Sequence, residues 1–294
     1  MFDLILIDFS WIYNKYYYVA KVRPLHTNKE LSSNDYLVPT VRDMLLRFFK
    51  LIEKSYPNAR VILVLDAPLS STENFALCNE YKQNRNKEEK KKVYERFKDI
   101  VGELSQLVSK KFSFVRAVGY EADQVIAFLA EKHQAEHKVL IFTGDKDLLQ
   151  LSYFPNVEIS EKFEKSAFLL KSDEEIFKKF KNSKGEDFTR ISTNKKDILK
   201  YRVLKGDNSD NLSPVFPRIK DSEIKSIIKD YWIDDMSEGL TEERIDGIID
   251  DIKGDNRELA KKLRESKDTW LRNFKLMNLY GIKDLPIRKI VKHG

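Results

Sequence analysis

The sequence of 294 residues has little cysteine and no long apolar run: it contains one cysteine, Cys78, and four histidines. A single cysteine excludes a disulfide framework within the chain, which fits a reducing cytoplasm. No segment approaches the ~18 consecutive apolar residues of a membrane-spanning helix. Residues 1–10 are interrupted by Asp3 and Asp8 and lack the basic start and cleavage site of a signal peptide. The sequence therefore predicts a cytoplasmic protein without a membrane segment.

The composition is that of a globular protein with a mild basic excess. Hydrophobic residues make up 41% and charged residues 34% of the chain, and the formal net charge is +6. The length suits one large domain or two modest ones. A positive excess of this size indicates a nucleic-acid partner only if the basic residues are concentrated on one surface.

Short apolar runs alternate with amphipathic segments in the first half of the chain. This alternation predicts a parallel sheet flanked by helices. The expected strands are residues 4–8, 60–66, 112–117 and 138–143, and the expected helices are 41–56 and 121–133.

The strand signals end near residue 170, and the rest of the chain has helical patterns. The expected helices are roughly 172–181, 194–204, 220–231, 241–253, 255–265 and 268–279. We therefore predict two domains, an α/β domain over 1–170 and a helical region over 171–294.

Acidic residues follow each predicted strand, at the end of a parallel sheet where functional sites form. A further pair lies in "LKGDNSDNL", whose glycine and asparagines predict a loop. Together they are eight acids from five segments: Asp8, Asp66, Glu121, Asp123, Asp145, Asp147, Asp207 and Asp210.

This set contains no histidine or cysteine, and carboxylate oxygens suit Mg²⁺ or Mn²⁺ rather than zinc. Two such ions ~3.5–4 Å apart would offset the repulsion among the acids and would clamp a phosphodiester for in-line hydrolysis. Any one of these acids is also explained as a helix cap. Capping does not easily explain five coordinated placements, so we favour a metal site.

Five motifs of the sequence, in order, resemble those of the flap-endonuclease-like 5′-nucleases. They are "LIDFS", "LDAP" followed by "EYKQNR", "GYEADQVIA", "TGDKDLLQL" and "LKGDNSDN", and they lie within residues 4–211. The RNase H group of T-even bacteriophages shares several of them. The resemblance implies a PIN-like α/β nuclease domain, two Mg²⁺ ions, and removal of RNA primers or 5′ flaps during DNA replication.

The resemblance also implies roles for the eight acids. Asp8, Asp66, Glu121, Asp123 and Asp145 would surround the first metal. Asp147, Asp207 and Asp210 would lie toward the second metal, with Asp145 shared. We also expect Asp145 to be a catalytic residue.

Residues 80–98 form a basic segment after the second strand, with eight Lys or Arg and three Glu between Tyr81 and Lys98. Such a run is also typical of a solvated helix with Glu–Lys pairs. The resemblance makes it part of a helical arch, about residues 80–110, through which a single strand threads. The expected catalytic cations are Lys82 and Arg85, and the expected nucleic-acid contacts are Tyr81, Lys82, Arg85, Lys90, Lys91 and Lys92.

Residues 205–232 occupy the place of the family's helix–hairpin–helix. The stretch from Asn211 to Trp232 contains no glycine, so the hairpin is degenerate and a K⁺ site is not expected. Duplex binding would depend on basic side chains, for which surface solubility is an equal explanation. They are Arg218, Lys220 and Lys225, with Lys229 beside them.

Gln124 departs from the E-A-D-D pattern of many phage and bacterial relatives. Either the site is crippled, or the remaining acids still hold two ions and the second is weakly bound. The first account leaves a structure-specific nucleic-acid-binding protein with degraded catalysis as an alternative function. A phosphohydrolase with Asp8 as nucleophile is a further alternative, but the D-x-D that such chemistry uses is absent because residue 10 is serine.

The partners that we expect are DNA and RNA–DNA duplexes with 5′ flaps or ends. Replisome proteins, such as a single-strand-binding protein or a clamp, are further expected partners. The chain is expected to act as a monomer and without a membrane. If it comes from a phage, as the resemblance implies, it would act in the host cytoplasm.

Overall fold

The computed structural model describes residues 1–22, 33–67, 73–78, 80–82, 87–108, 111–160, 175–181, 187–233 and 239–290. Some side chains in this set are also outside the description. They belong to residues 22, 33–36, 73, 75, 87–95, 175–181 and 187–192.

A six-stranded sheet forms the centre of the first half. Its strands are β1 (Leu4–Asp8), β2 (Arg60–Val64), β3 (Phe112–Ala117), β4 (Val139–Phe142), β5 (Val157–Ser160) and, near the end of the chain, β8 (Ile287–Lys289). The order is β5-β4-β1-β2-β3-β8, and all neighbours are parallel except β3 and β8. The four predicted strands are confirmed, whereas β5 and β8 were not predicted.

Alternate residues of β1 contribute to two separate cores, because successive side chains of a strand point to opposite faces. Ile5 and Ile7 belong to the core shared with α1 (Phe9–Val22), α2 (Ser33–Ser55) and α4 (Lys87–Leu107). Leu4 and Leu6 belong to the other core, which includes α5 (Ala122–His133) and the helices of the second half. The short helix α3 (Glu73–Leu77) precedes α4. Helices on both faces confirm the predicted α/β class.

The prediction of a helix over residues 172–181 is wrong. Residues Glu175–Lys181 form strand β6, which pairs antiparallel with β7 (Asp187–Asn194) in a separate two-stranded sheet. The spacing of Ile176, Phe177 and Phe180 is compatible with a helix. Strand formation depends on the pairing partner more than on intrinsic propensity, and β7 supplies β-branched residues as that partner.

The other helices of the second half are confirmed within a few residues. They are α6 (Ile198–Lys205), α7 (Asp221–Ser226), α8 (Glu242–Asp255), α9 (Arg257–Glu265) and α10 (Lys267–Met277). A π-helical turn over Ile227–Tyr231 continues α7. The proposed domain boundary near 170 lies outside the described residues and stays a prediction.

None of the helices that the structure describes is both long and apolar enough to cross a lipid bilayer.

Candidate active site

Five of the predicted acids lie where the carboxyl ends of the parallel strands meet the start of α5. Asp8 is the last residue of β1, and Asp66 lies two residues beyond β2. The Asp66 Oδ1 atom accepts a hydrogen bond of 2.8 Å from the backbone N–H of Ala122, the first residue of α5. The end of β2 is thus joined to the start of α5. We call Asp8, Asp66, Glu121, Asp123 and Asp145 the first acid group.

Asp8 is buried between two hydrogen-bond donors. The Thr143 hydroxyl donates to Oδ2 and the Trp11 backbone N–H donates to Oδ1, each at 3.0 Å. Burial, followed by the charges of Asp66 and Asp145, nevertheless raises the pKa of Asp8 to about 8. A cation bound beside Asp8 would therefore stabilise the charged form of this carboxyl.

The pKa of Asp123 is shifted in the same direction as that of Asp8. Burial and the charge of Glu121 raise its pKa well above the ordinary range, although Lys82 acts in the opposite direction. The crowding of carboxylates therefore extends from the end of β1 to the start of α5.

Glu121 accepts hydrogen bonds from three side chains. Asn74 Nδ2 and Tyr81 Oη donate to Oε2 at 2.9 and 3.0 Å, and Lys82 Nζ donates to Oε1 at 2.6 Å. Burial opposes the charge of Lys82, but Tyr81 and Glu121 raise its pKa well above the ordinary value. Lys82 is therefore a fixed cation beside the first acid group.

Lys82 also has an uncommon backbone conformation, with φ of 56°. Its backbone N–H donates to the carbonyl of Asp210 at 3.0 Å, and Asn211 Nδ2 donates to the carbonyl of Glu80 at 2.9 Å. Residues in the left-handed region carry strain that the surrounding contacts must hold. The turn over 80–82 is held in this way against the loop that contains Asp210.

The loop after β4 presents two acids two residues apart. Thr143 Oγ1 accepts the backbone N–H of Asp145 at 3.0 Å, and Asp145 Oδ1 accepts that of Asp147 at 2.9 Å. A side chain at Gly144 would place its Cβ 2.5 Å from the indole nitrogen of Trp11. Glycine is required here because the indole ring lies against the backbone.

Asp147, Asp207 and Asp210 form the second acid group, and one carboxylate oxygen from each lies within 4.8 Å of the others. All three are buried. Asp207 Oδ1 accepts hydrogen bonds from the backbone N–H and the hydroxyl of Ser209 at 2.9 and 2.7 Å. Gly206 has φ of 72° and lies too close to Ser213 for a side chain. The glycine before Asp207 thus permits the tight turn of this loop.

Two basic residues that the sequence analysis missed lie among these acids. The Arg202 guanidinium contacts Asp147, and its Nη2 donates to Asp207 Oδ2 at 2.6 Å. Lys146 Nζ donates to Asp207 Oδ1 at 2.7 Å. Burial opposes the charge of Asp207, but Arg202 and Lys146 lower its pKa to about 2. The basic residue within "GDKD" was a visible signal for Lys146, whereas nothing in the local pattern of α6 marks Arg202.

The pKa of Asp147 is shifted in the opposite direction to that of Asp207, although both carboxylates contact Arg202. Burial, opposed by Arg202 and reinforced by Asp145, raises the pKa of Asp147 to about 7. The charge of Asp145 acts on Asp8, Asp123 and Asp147, so this residue couples the two acid groups.

Gln150 is a second residue that sequence reasoning missed. Its buried amide nitrogen donates to the carbonyls of Asp147 and Met277 at 2.8 and 3.0 Å, and its Oε1 accepts the backbone N–H of Leu279 at 3.1 Å. The Tyr280 hydroxyl donates to the Gln150 carbonyl at 2.6 Å. The segment after α10 therefore holds the backbone of Asp147 in place.

The donor set fits divalent metal ions. It consists of buried and half-buried carboxylates from separate segments, and the pKa values of Asp8 and Asp147 are raised to about 8 and about 7. Hard oxygen ligands of this kind suit Mg²⁺ or Mn²⁺. The second acid group fits less simply, because Arg202 and Lys146 already neutralise part of its charge.

Residues 3–181 match the model of the family described as "5′-3′ exonuclease, N-terminal resolvase-like domain". The chain belongs to this 5′-3′ exonuclease family. Membership of the family, together with the buried acid cluster, makes the protein a metal-dependent nuclease of the flap-endonuclease-like type.

Two relatives of this exonuclease match along most of its length. A 5′-3′ exonuclease of Aquifex aeolicus is 28% identical over 285 residues, which are 96% of this chain and 83% of the relative. The Ribonuclease H of Enterobacteria phage T4 is 24% identical over 248 residues, which are 82% of this chain and 71% of the relative. The predicted similarity to T-even RNase H is confirmed.

The fold is shared with a solved nuclease. The T5 5′-exonuclease with bound divalent metal ions (zinc) has a TM-score of 0.63 at 16% identity, covering 94% of this chain and 89% of that chain. A complex of the T5 flap endonuclease with DNA and metal ions has a TM-score of 0.56 over the same shares of the two chains. The predicted fold class is confirmed.

Gln124 of this exonuclease has a structural role at the start of α5. Its Oε1 accepts the backbone N–H of Glu121, the N-cap residue, at 2.9 Å. A glutamine three residues after the N-cap that bonds in this way is half of a capping box. The contact gives Gln124 a role in capping α5, and both accounts of this position stay predictions.

The predicted arch is described only in part. Residues 83–86, which include Arg85, lie outside the described residues. Lys90, Lys91 and Lys92 lie on α4, but their side chains are outside the description. The ring of Tyr81 is 2% exposed, so in this structure it packs in the core and serves Glu121. The nucleic-acid contacts of this segment stay predictions.

The degenerate hairpin turns without glycine. Arg218 has φ of 62°, a left-handed conformation that glycine adopts more readily. Arg218 and Lys220 are exposed, and Lys225 is half-buried. Arg218 and Lys220 lie in the turn that precedes α7 and Lys225 lies on α7, where the sequence predicts a duplex-binding surface.

Proposed function

We propose that this exonuclease binds two Mg²⁺ ions, for which Mn²⁺ can substitute, and hydrolyses phosphodiesters at 5′ ends or flaps. The substrates would be RNA or DNA strands on duplexes that arise during DNA replication. The observation that carries the proposal is the meeting of carboxylates from five distant segments at one sheet edge, beside the fixed cation Lys82.

The first acid group would hold one ion and the second acid group the other, with Asp145 between them. When bound, such a pair neutralises charge on the phosphoryl oxygens and activates a water molecule for attack. Thr143 has a supporting role in this proposal, because its hydroxyl bonds both Asp8 and the backbone of Asp145. It would keep these two acids at a constant separation.

Lys82 would donate a hydrogen bond to a phosphate oxygen as negative charge develops on it. Its ammonium group is already held at the site by Glu121, so little reorganisation is needed. Arg85 would assist from the arch. Contacts to the nucleic-acid backbone would come from Lys90, Lys91, Lys92, Arg218, Lys220 and Lys225.

The proposal also covers the strands that the protein cleaves and the partners that it meets. The name of the relative Ribonuclease H supports cleavage of RNA strands, and the complex of the T5 flap endonuclease with DNA supports action on DNA. We expect a cytoplasmic monomer that meets a single-strand-binding protein or a clamp at the replication fork.

The test uses 5′-labelled flap, nicked and RNA-primed duplexes, with product lengths read against Mg²⁺ concentration. Asp145→Asn should reduce cleavage about 10³-fold or more while duplex binding survives, because Asp145 couples the two acid groups. The matched control is Asp250→Asn, which removes an exposed acid that pairs with Arg264 on the far helices.

Two outcomes would contradict the proposal. Full cleavage in excess EDTA would exclude a metal-dependent reaction. Tight duplex binding with no cleavage at saturating Mg²⁺ or Mn²⁺ would instead make the chain a binding protein with degraded catalysis.

A further inference from the structure

The second acid group contains its own cations. Its three carboxylates are accompanied by Arg202 and Lys146. In the first acid group, which has five carboxylates, the described ion pair is that of Lys82 with Glu121. The described ion pairs thus set two cations against three carboxylates in the second group and one cation against five in the first.

Arg202 is held firmly in this position. It lies on α6, its side chain is 5% exposed, and its Nη2 atom contacts both Asp147 and Asp207. Its Nη1 atom is also buried but has no hydrogen-bond partner among the described residues. Because the guanidinium is buried and contacts both carboxylates, it compensates part of their charge.

We propose that Arg202 is a built-in counterion that shares the second acid group with the second divalent ion. The inference rests on the two-ion function proposed above. An ion that binds there must share the oxygens of Asp147 and Asp207 with the guanidinium, and it meets a repulsive positive charge. Lys146 adds to this effect through Asp207. The first ion therefore binds tightly and the second binds weakly.

Such a counterion has a consequence for the protein without metal. It prevents three buried carboxylates from repelling one another when no second ion is present. The second acid group can then stay assembled at metal concentrations that fill only the first. Catalysis would begin only when the second ion binds, so Arg202 sets the metal concentration at which the nuclease becomes active.

The test measures Mn²⁺ binding directly, by calorimetry and by the electron paramagnetic resonance of free Mn²⁺, with no nucleic acid present. Wild-type protein should bind one ion tightly and a second at least about tenfold more weakly. Arg202→Gln should strengthen the second binding step at least about tenfold, because it removes a unit charge within a few ångströms of the ion. Arg202→Lys, which retains the charge, should keep the weak second step.

The matched control is Lys205→Gln, which removes a positive charge from the same helix. Lys205 pairs with the half-exposed Asp221, outside the acid groups. Both binding steps should be unchanged in this variant.

Thermal unfolding gives a second measurement. In EDTA, Arg202→Gln should unfold at a lower temperature than wild type, and Mn²⁺ should raise its unfolding temperature more than that of wild type. If this variant does not fold, Lys146→Gln, which removes the other cation of the second acid group, is titrated in its place and should also strengthen the second binding step.

Two wild-type ions of equal affinity would overturn the counterion role and leave the proposed function intact. An unchanged or weaker second step in folded Arg202→Gln would also overturn it. Absence of any Mn²⁺ binding by wild type would instead refute the proposed function.

Discussion

The two acid groups are built from the same side chains and differ in what surrounds them. Asp8 in the first group has its pKa raised to about 8, because it is buried beside Asp66 and Asp145. Asp207 in the second group is also buried, yet its pKa is lowered to about 2 by Arg202 and Lys146. Burial raises the pKa of both carboxyls, and the difference between them comes from their charged neighbours.

The difference follows from the elements that supply each group. The first group comes from the ends of adjacent parallel strands and the start of α5, and Lys82 pairs with it through Glu121. The second group also receives residues from α6 and from the loop after it, and α6 contributes Arg202. The strand ends thus contribute acidic residues to the site, and α6 contributes the basic residue Arg202.

Among the changes that test this comparison, removal of Lys82 should have the largest effect, because Lys82 is the cation that pairs with the first acid group. Lys82→Ala should lower the single-turnover cleavage rate about 10²–10³-fold if its ammonium group stabilises the developing charge. Substrate affinity should change far less. Lys82→Gly removes the same amine but fits the left-handed backbone without strain, so it separates the loss of charge from the loss of backbone fit. A rate within twofold of wild type in the glycine variant would leave Lys82 with a structural role only.

The pKa contrast predicts how stability depends on pH in EDTA. The folded-state pKa values of Asp8 and Asp147 are raised to about 8 and about 7, above the ordinary 3.8. Between pH 4 and pH 8 the folded protein therefore binds more protons than the unfolded chain, and its stability falls as the pH rises. Asp207 acts in the opposite direction, and its contribution is lost as the pH falls from about 4 through 2.

Urea unfolding between pH 5 and pH 8.5 measures this effect. With saturating Mg²⁺, the free energy of unfolding should decline less as the pH rises, because a bound ion replaces the protons. The stabilisation by Mg²⁺ should therefore grow with pH. A stability in EDTA that does not change over this range would contradict the raised pKa values.

Gln124 offers a smaller change at the border of the first group. Gln124→Glu keeps an acceptor of the length that the capping box needs and adds a charge, so it should strengthen metal binding by about tenfold. Gln124→Asp adds the same charge on a shorter side chain and should also lose about 0.5–2 kcal/mol of stability with the cap. The measurement is cleavage rate against Mg²⁺ concentration, and the saturated rate should change little. If wild type is inactive at saturating metal and either variant restores cleavage, the proposed function is wrong.

Arg218 lies outside both acid groups and should affect them least. Arg218→Gly removes a cation and relieves a left-handed backbone, so stability should change by less than about 1 kcal/mol. Affinity for duplex should fall, and its salt dependence should weaken by about one phosphate contact. Arg218→Ala, which keeps the backbone strain, is the control. A change in Mn²⁺ binding in either variant would show that the duplex surface and the metal site are not separate.

Much of the site was predictable because strand ends converge in a parallel sheet. The runs at 4–8, 60–66, 112–117 and 138–143 predicted the sheet, and the acids that follow them were therefore expected at one edge. The position of Glu121 and Asp123 at the start of α5 was predictable for the same reason, because α5 follows one of these strands. These inferences need only local pattern and the known geometry of parallel strands.

The strands that the sequence analysis missed depend on distant partners. β8 pairs with β3 although about 170 residues separate them, and β6 forms a strand because β7 lies beside it. A short segment carries no sign of such a partner, since strand stability comes from cross-strand contacts.

By itself, the sequence determined the fold class, the family resemblance and the set of eight acids, because these depend on residue order and short-range spacing. Only the tertiary structure decided how that set is charged. Arg202 reaches Asp147 from a helix 55 residues further along the chain, and Gln150 links that acid to Leu279, beyond α10. The physical reason is that burial and ion pairing arise where separate segments pack together, and no single segment encodes its neighbours.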